Sequence, residues 1–305
     1  MVMASERIAA KSTDKNKAAI PGWRSQSLIS ETIRRFAQNK GAVLGLAALS
    51  ILIVISLAAP WIAPYDPIKQ FVGPKLSSPS SKFLFGTDQF GRDVLSRTLG
   101  GGVNTLKVPL IAIAIAVSAG IVFGLISGYY GGRTDAVISW AMDVMLAFPG
   151  LLLALVVVAV LGTGLDKVMV AVGISFIPVH VRLVRSSVIS SKQNDYVQAA
   201  RVVGCGDARI AFRHVFPNVI PAMLVLATTA IAWAIVAGAA MNFLGMGVQP
   251  PTPEWGADMA MSRNYLRESW WMMTFPGLCI VITIIAVNLI GDGLTSALDP
   301  RQRGK

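Results

Sequence analysis

The sequence predicts an all-α, polytopic membrane protein with six transmembrane helices, and three observations carry that prediction. Of its 305 residues, 54% are hydrophobic and only 14% charged, against about 25% charged in a soluble domain. The shortage of charge is uneven, because long stretches carry none. Six apolar segments reach the ~20 residues that a helix needs to cross a hydrocarbon layer about 30 Å thick.

The first segment covers residues 43–62, behind a polar, basic tail over 1–42 that is expected to be disordered up to about Gly22. It is longer than the apolar part of a signal peptide and no cleavage site follows, so it reads as an uncleaved anchor. An outer loop over 63–105 leads to the second segment, 106–127. There Gly120, Gly124 and Gly128 stand four apart, on one helical face that admits a close neighbour from this chain or from another subunit. The third, 137–160, holds Asp143. The fourth, 168–188, carries Pro178, His180, Arg182 and Arg185 in its second half and spans because arginines reach to the headgroups. The fifth and sixth cover 219–243 and 275–294, and a tail over 295–305 closes the chain.

An even number of spans puts both ends on one side. Two-thirds of the 27 lysines and arginines fall on that side, and cytoplasmic loops collect these residues, so both termini are expected in the cytoplasm. The net charge of +11 does not point to nucleic acid, since basic residues sit between apolar segments instead of forming a patch with aromatics. Cys205 and Cys279 suggest no disulfide, and the widely separated His180 and His214 suggest no metal site. Pro250, Pro251 and Pro253 stiffen an outer loop carrying Trp255, which is expected with Trp270 and Trp271 at the membrane interface.

Residues 191–218 lie inside, between the fourth and fifth spans. Asp195 and Gln198 suit a capping box, Gly204 a left-handed helix end, Asp207 a second N-cap, and Pro217 a stop or change of direction. Tyr196, Val197, Ala200 and Val203 make one apolar stripe, and Ala208, Ala211, Phe212, Val215 and Phe216 a second. Helices this short are marginal alone, so these faces need cover, from the same chain or from a partner.

This stretch resembles the EAA loop of permease subunits in binding-protein-dependent ABC importers. That pattern is Glu-Ala-Ala, three residues, Gly, nine residues, Ile-x-Leu-Pro. Here Gln198, Ala199 and Ala200 precede Gly204, and His214, Val215, Phe216 and Pro217 follow at the matching spacing, with Gln for Glu, His for Ile and Phe for Leu. The runs Phe85-Gly86-Thr87-Asp88 and Gly91-Arg92-Asp93-Val94-Leu95-Ser96-Arg97 resemble dipeptide and oligopeptide permeases. So do Met142-Asp143-Val144, the motif Phe148-Pro149-Gly150, the outer loop from Gln249 to Gly256, and the ending at Asp299-Pro300-Arg301. The resemblance is to the second permease of this group, covers about residues 30–303, and implies a type I importer permease core over 106–294.

No Gly-x-x-x-x-Gly-Lys-Ser/Thr phosphate loop occurs, and Gly131-Gly132-Arg133-Thr134 and Gly204-Cys205-Gly206 lack its spacing and lysine. No catalytic residue, cofactor or metal is assigned to this chain. The resemblance implies that ATP and magnesium are held by two cytosolic ATPase subunits. It further implies a second homologous permease, an extracytoplasmic solute-binding protein, a bacterial inner membrane and peptides as cargo; its relatives also carry glutathione and nickel complexes. The ATPase-coupling residues it implies are Asp195, Tyr196, Gln198, Ala199, Ala200, Gly204, Asp207, Arg209, Phe212, His214 and Pro217.

Asp143 is the acidic residue well inside a span, where carboxylates cost a few kcal/mol and mark functional candidates. It either pairs with a basic residue near the cytoplasmic side or lines the passage. Asn242 and Asn288 are further candidates for the passage or for helix–helix hydrogen bonds. The competing class is a stand-alone secondary transporter or channel; it calls for an internal repeat and several deep charges, and the sequence displays neither.

Overall fold

The computed structural model describes residues 28–298, so the tail up to Gly22 and the Asp299-Pro300-Arg301 ending lie outside the described residues. The helices in order are α1 (Leu28–Gln38), α2 (Lys40–Ile62), α3 (Val94–Tyr130), α4 (Gly132–Leu146), α5 (Gly150–Leu161), α6 (Leu165–Lys192) and α7 (Asp195–Val202). They are followed by α8 (Asp207–Phe243), α9 (Trp255–Ser262) and α10 (Trp271–Leu298). Five of them, α2, α3, α6, α8 and α10, are long and apolar enough to cross a bilayer unbroken.

The third expected span, 137–160, is not one helix. It is the pair α4 and α5, bent by 93°, and counting the pair as one span restores six. Pro149 lacks an N–H and pushes Phe148 away from helical backbone, so the ladder breaks at that point. Part of the expected N-terminal tail is also ordered, because α1 forms within it and Asn39 caps α2, its Oδ1 accepting the Ala42 amide at 3.1 Å.

Packing of α3 on α6 is the spine of the bundle, and it decides between the two readings of the glycine row. A Cβ at Gly120 would lie 2.7 Å from that of His180, one at Gly124 2.5 Å from that of Val184, and one at Gly128 2.8 Å from that of Val188. The row therefore serves packing inside this chain. In lipid no hydrophobic drive brings helices together, so such close backbone approach and the dispersion contacts it permits hold the pair.

The loop expected over 63–105 is shorter than that. Helix α3 begins at Val94, twelve residues before the apolar run, with Asp93 Oδ2 accepting the Ser96 amide at 2.8 Å. Gly100, Gly101 and Gly102 read as loop but lie inside the helix, where Gly101 faces Glu254 and Trp255 and Gly102 faces Ser56. Asp88 accepts the amides of Phe90 and Arg92 at 2.8 and 2.9 Å and the Arg92 Nε at 2.5 Å. Arg97 donates to Asp258 through Nε at 3.1 Å and to the carbonyls of Pro67 and Pro251 at 2.9 and 3.1 Å. One guanidinium thus joins the loop after α2, α3, the proline-rich loop and α9.

Trp255 and Trp271 are buried in this cap and are not interface anchors; their indole N–H groups donate to the Thr98 and Thr87 carbonyls at 2.7 and 3.1 Å. Trp270 is half exposed. Arg97→Ala leaves the buried Asp258 without its counter-charge and is expected to cost about 3–5 kcal/mol, read as a lower melting temperature of the purified protein. Burial pushes the Glu254 carboxyl above the usual glutamate range. The folded state then keeps this proton where the unfolded chain has lost it, so stability falls as pH rises from the usual value toward the raised one. Glu254→Gln is expected to flatten that slope in melting temperatures taken between about pH 4 and 7.

Candidate coupling surface and membrane groove

Residues 191–218 fold as one packed unit. Asn194 takes the N-cap place of α7 without a side-chain cap bond, so the expected Asp195–Gln198 capping box does not form. Asp195 falls in the first turn, where its charge suits the helix dipole, and Gln198 Nε2 donates instead to the Lys192 carbonyl at 3.1 Å. At the other end the Gly204 amide donates to Arg201 at 2.9 Å and the Cys205 amide to Ala200 at 3.0 Å, the two bonds of a Schellman motif. Gly204 stands at φ +82°, the left-handed position read from the sequence.

Asp207 is the first residue of the next helix, with Gly206 in the cap place. Its Oδ1 accepts from the Tyr129 hydroxyl at 2.6 Å. Pro217 neither stops nor redirects this helix, which continues into the fifth span. Residues Ile210–Val215 form a π-helical turn immediately before it. The wider ladder re-seats the carbonyls that a proline would otherwise strike. The second short helix is therefore the first part of a membrane-length helix, Asp207–Phe243, which the sequence reading did not foresee.

The two apolar stripes divide. Val197, Ala200, Ile210, Ala211 and Val215 are buried against Leu125, Val184, Val188 and Met223 of the bundle. Tyr196 and Val203, expected on the same stripe as Val197 and Ala200, are exposed, and the Tyr196 hydroxyl accepts from Asn218 Nδ2 at 2.8 Å. The large apolar side chains left most uncovered on this unit are Val202, 87% exposed, Val203, 77%, and Phe212, 64%. Ala208, Arg201, Arg209 and Arg213 are exposed in the same stretch of the chain. Asp195, Gln198, Ala199 and Pro217 are also exposed, and His214 is half-buried.

Lys192 completes the unit. Its Nζ donates to the Tyr129 carbonyl at 2.5 Å, closing the C-terminal end of α3. Through Tyr129, Lys192 and Asp207, the ends of α3 and α6 are tied to the start of α8. Val202, Tyr129 and Lys192 escaped the sequence reading. Val202 lies outside both stripes, and the other two act only through folded neighbours.

On the bundle wall a groove of about 670 Å³ lies between α4, α6 and α8, lined by Ser139, Met142, Asp143, Val179, Arg182 and Leu226. Asp143 has a basic partner and lines the groove as well: its Oδ1 accepts from Arg182 Nη2 at 2.5 Å, and both side chains are more than half exposed. Beneath them Arg185 grips Asp135 through Nε and Nη2 at 2.5 and 2.7 Å, with Ser127 and Ser139 also donating to Asp135. Asp135 lies between the expected second and third spans, and its partner Arg185 is 50 residues away. Asn242 is buried and its Oδ1 accepts the Val248 amide at 2.9 Å, holding the turn after α8. Asn288 is exposed on α10 beside Val281 and Ile285. Of the three candidate passage residues, Asp143 alone lines this groove.

Residues 120–304, which hold the coupling unit and the groove, match the family described as binding-protein-dependent transport system inner membrane component. The chain belongs to that family. Residues 27–79 of this permease match a second family, the N-terminal TM domain of oligopeptide transport permease C. The permease is 43% identical over 290 residues to the di/tripeptide transport system permease protein DppC of Pseudomonas aeruginosa (strain UCBPP-PA14), covering 93% of this chain and 96% of that protein. It is 44% identical over 272 residues to the dipeptide transport system permease protein DppC of Escherichia coli (strain K12), covering 87% and 91%. Its fold is similar to that of a chain of the MetNI methionine ABC transporter in inward-facing conformations, with TM-score 0.50 at 16% identity, covering 67% of this chain and 93% of that one.

Proposed function

We propose that this permease is one of two homologous membrane subunits of an ATP-driven importer that brings dipeptides and oligopeptides into a bacterial cytoplasm. A solute-binding protein delivers the cargo from outside, two cytosolic ATPase subunits hold ATP and magnesium, and both termini lie in the cytoplasm. Peptide cargo is supported by full-length relatives whose names specify dipeptide and di/tripeptide transport. A stand-alone secondary transporter or channel is not favoured, given the family.

The observation that carries the reading is the uncovered patch of Val202, Val203 and Phe212 on a unit whose opposite face is buried in the bundle. An apolar patch in water calls for a partner, and one seated on a packed unit transmits force. Closure of the ATPase nucleotide sites displaces this unit. Because α8 runs unbroken from Asp207 to Phe243, the displacement passes along a spanning helix, while the Tyr129–Asp207 bond carries α3 with it. An exposed ion pair within a span is costly in lipid, so Asp143 and Arg182 face water in the passage, where they meet the charged ends of a peptide.

Purification tests this directly. The tagged permease is expected to bring ATPase chains with it, and Phe212→Asp is expected to shed them while leaving the permease in the membrane. Peptide accumulation in vesicles by the isolated permease, with no ATPase present, would overturn the proposal.

A further inference from the structure

Away from the coupling unit, a crevice of about 350 Å³ opens between α2, α3, α8 and α10, within the size range of small-ligand pockets. Its position follows from how α2 is seated. A Cβ on Gly45 would lie 2.6 Å from the Ala286 carbonyl oxygen of α10, and one on Gly102 of α3 would lie 2.0 Å from Ser56 Oγ. Small residues thus pin α2 at two levels about 16 Å apart along its axis. Between them Leu49 and Ile53 stand over a gap walled by Ile231, Ile235 and Val287.

The lining selects the occupant. The hydroxyls of Thr228 and Thr283 donate to the Val225 and Cys279 carbonyls of their own helices, at 2.8 and 2.7 Å. A peptide lodged here would find few partners for its amides, and buried amides need them; a hydrocarbon chain needs none. Of the lining, Leu57 and Leu110 are exposed, which suits the lipid phase. Lys107 is the charged residue of the lining, is exposed, and forms no ion pair with any described residue. A lysine at such a site extends toward the headgroups, where its ammonium meets a phosphate as a point charge. We propose that the crevice seats one acyl chain of an anionic phospholipid whose phosphate is neutralised by Lys107.

Native mass spectrometry of the permease, purified with its partner subunits and incubated with phosphatidylglycerol or phosphatidylcholine of identical chains, tests the assignment. The wild-type complex is expected to retain phosphatidylglycerol in preference. Lys107→Ala changes an exposed side chain and leaves packing intact; it is expected to lower that preference roughly fivefold, the worth of one lysine near an anionic surface. Ile53→Trp fills the crevice from its rim and is expected to reduce retention of both lipids. Equal retention of the two lipids by the wild type, or retention unchanged in Ile53→Trp, would overturn the proposal. So would a photoreactive benzoylphenylalanine at Ile53 that cross-links to peptide or to the second permease in place of lipid. None of these readouts depends on which cargo the importer carries.

Discussion

Gly124→Leu is expected to prevent assembly of the bundle. The new Cβ would lie 2.5 Å from that of Val184 and 2.9 Å from the Val181 carbonyl oxygen, and a backbone oxygen cannot rotate aside. Relief requires α3 and α6 to separate along the seam that also includes Gly120 and Gly128. Overpacking usually costs about 1–3 kcal/mol, and a contact against backbone along a whole helix pair belongs at or above the top of that range. The measurement is the yield of monodisperse protein and its melting temperature, set against Ser118→Leu. Ser118 lies exposed on the same helix, its hydroxyl bonded to the Ala114 carbonyl of its own turn, so that variant is expected to behave like the wild type. Equal stability of the two variants would show that α3 and α6 do not meet at this face.

Gly204→Val is expected to leave the bundle intact and to abolish coupled uptake. No atom lies within 4 Å of the position a Cβ would take at Gly204, so the effect is not a clash. It is the backbone: φ is +82°, and a β-branched residue in that region costs roughly 1–3 kcal/mol. Relaxation of the turn breaks the Schellman bonds to Arg201 and Ala200 and re-aims α7 relative to α8. That separates Val202 and Val203 from Phe212, so the surface no longer fits a single partner. ATP-driven uptake is expected to fall at least about tenfold, the equivalent of ~1.4 kcal/mol in the docked population, with melting temperature little changed. Gly204→Asn, which tolerates the left-handed conformation, is expected to retain most transport. Uptake at wild-type level in Gly204→Val, or equal loss in both variants, would show that this turn does not set the surface.

The two variants separate the roles that glycine plays in this chain. Gly124 is required for what lies next to it, and Gly204 for the conformation it adopts. The sequence predicted the first from spacing alone, because a four-residue interval puts small residues on one helical face whatever the rest of the fold does. Which helix uses that face was open until His180, Val184 and Val188 appeared opposite it.

The broken third span and the continuous eighth helix illustrate the same boundary. Both contain a proline in an apolar setting. Pro149 breaks its helix, whereas Pro217 is passed through after the π-helical turn at Ile210–Val215. Local rules treat the two alike, since both remove a donor and crowd the preceding turn. Whether a helix stops or re-seats its ladder depends on what holds the flanking turns. At Pro217 those turns are anchored by Val215 and Val219 in the bundle; the other case has no equivalent, as Phe148 is exposed.

By itself the sequence determined the membrane class, the number and order of apolar segments, and the left-handed turn at Gly204. These depend on composition, segment length and the conformational freedom of single residues, all of which are local. Tertiary structure decided that Trp255 and Trp271 belong to a buried cap, that Arg185 holds Asp135, and that Tyr129 and Lys192 tie the 191–218 stretch to the bundle. Tertiary structure also divided both apolar stripes, burying Val197, Ala200, Ala211 and Val215 and leaving Val203 and Phe212 exposed, with Val202, which belongs to neither stripe, exposed as well. Pairings of this kind join residues far apart along the chain. Charge, hydrogen-bonding capacity and apolar surface carry no address until the helices have packed and chosen their neighbours.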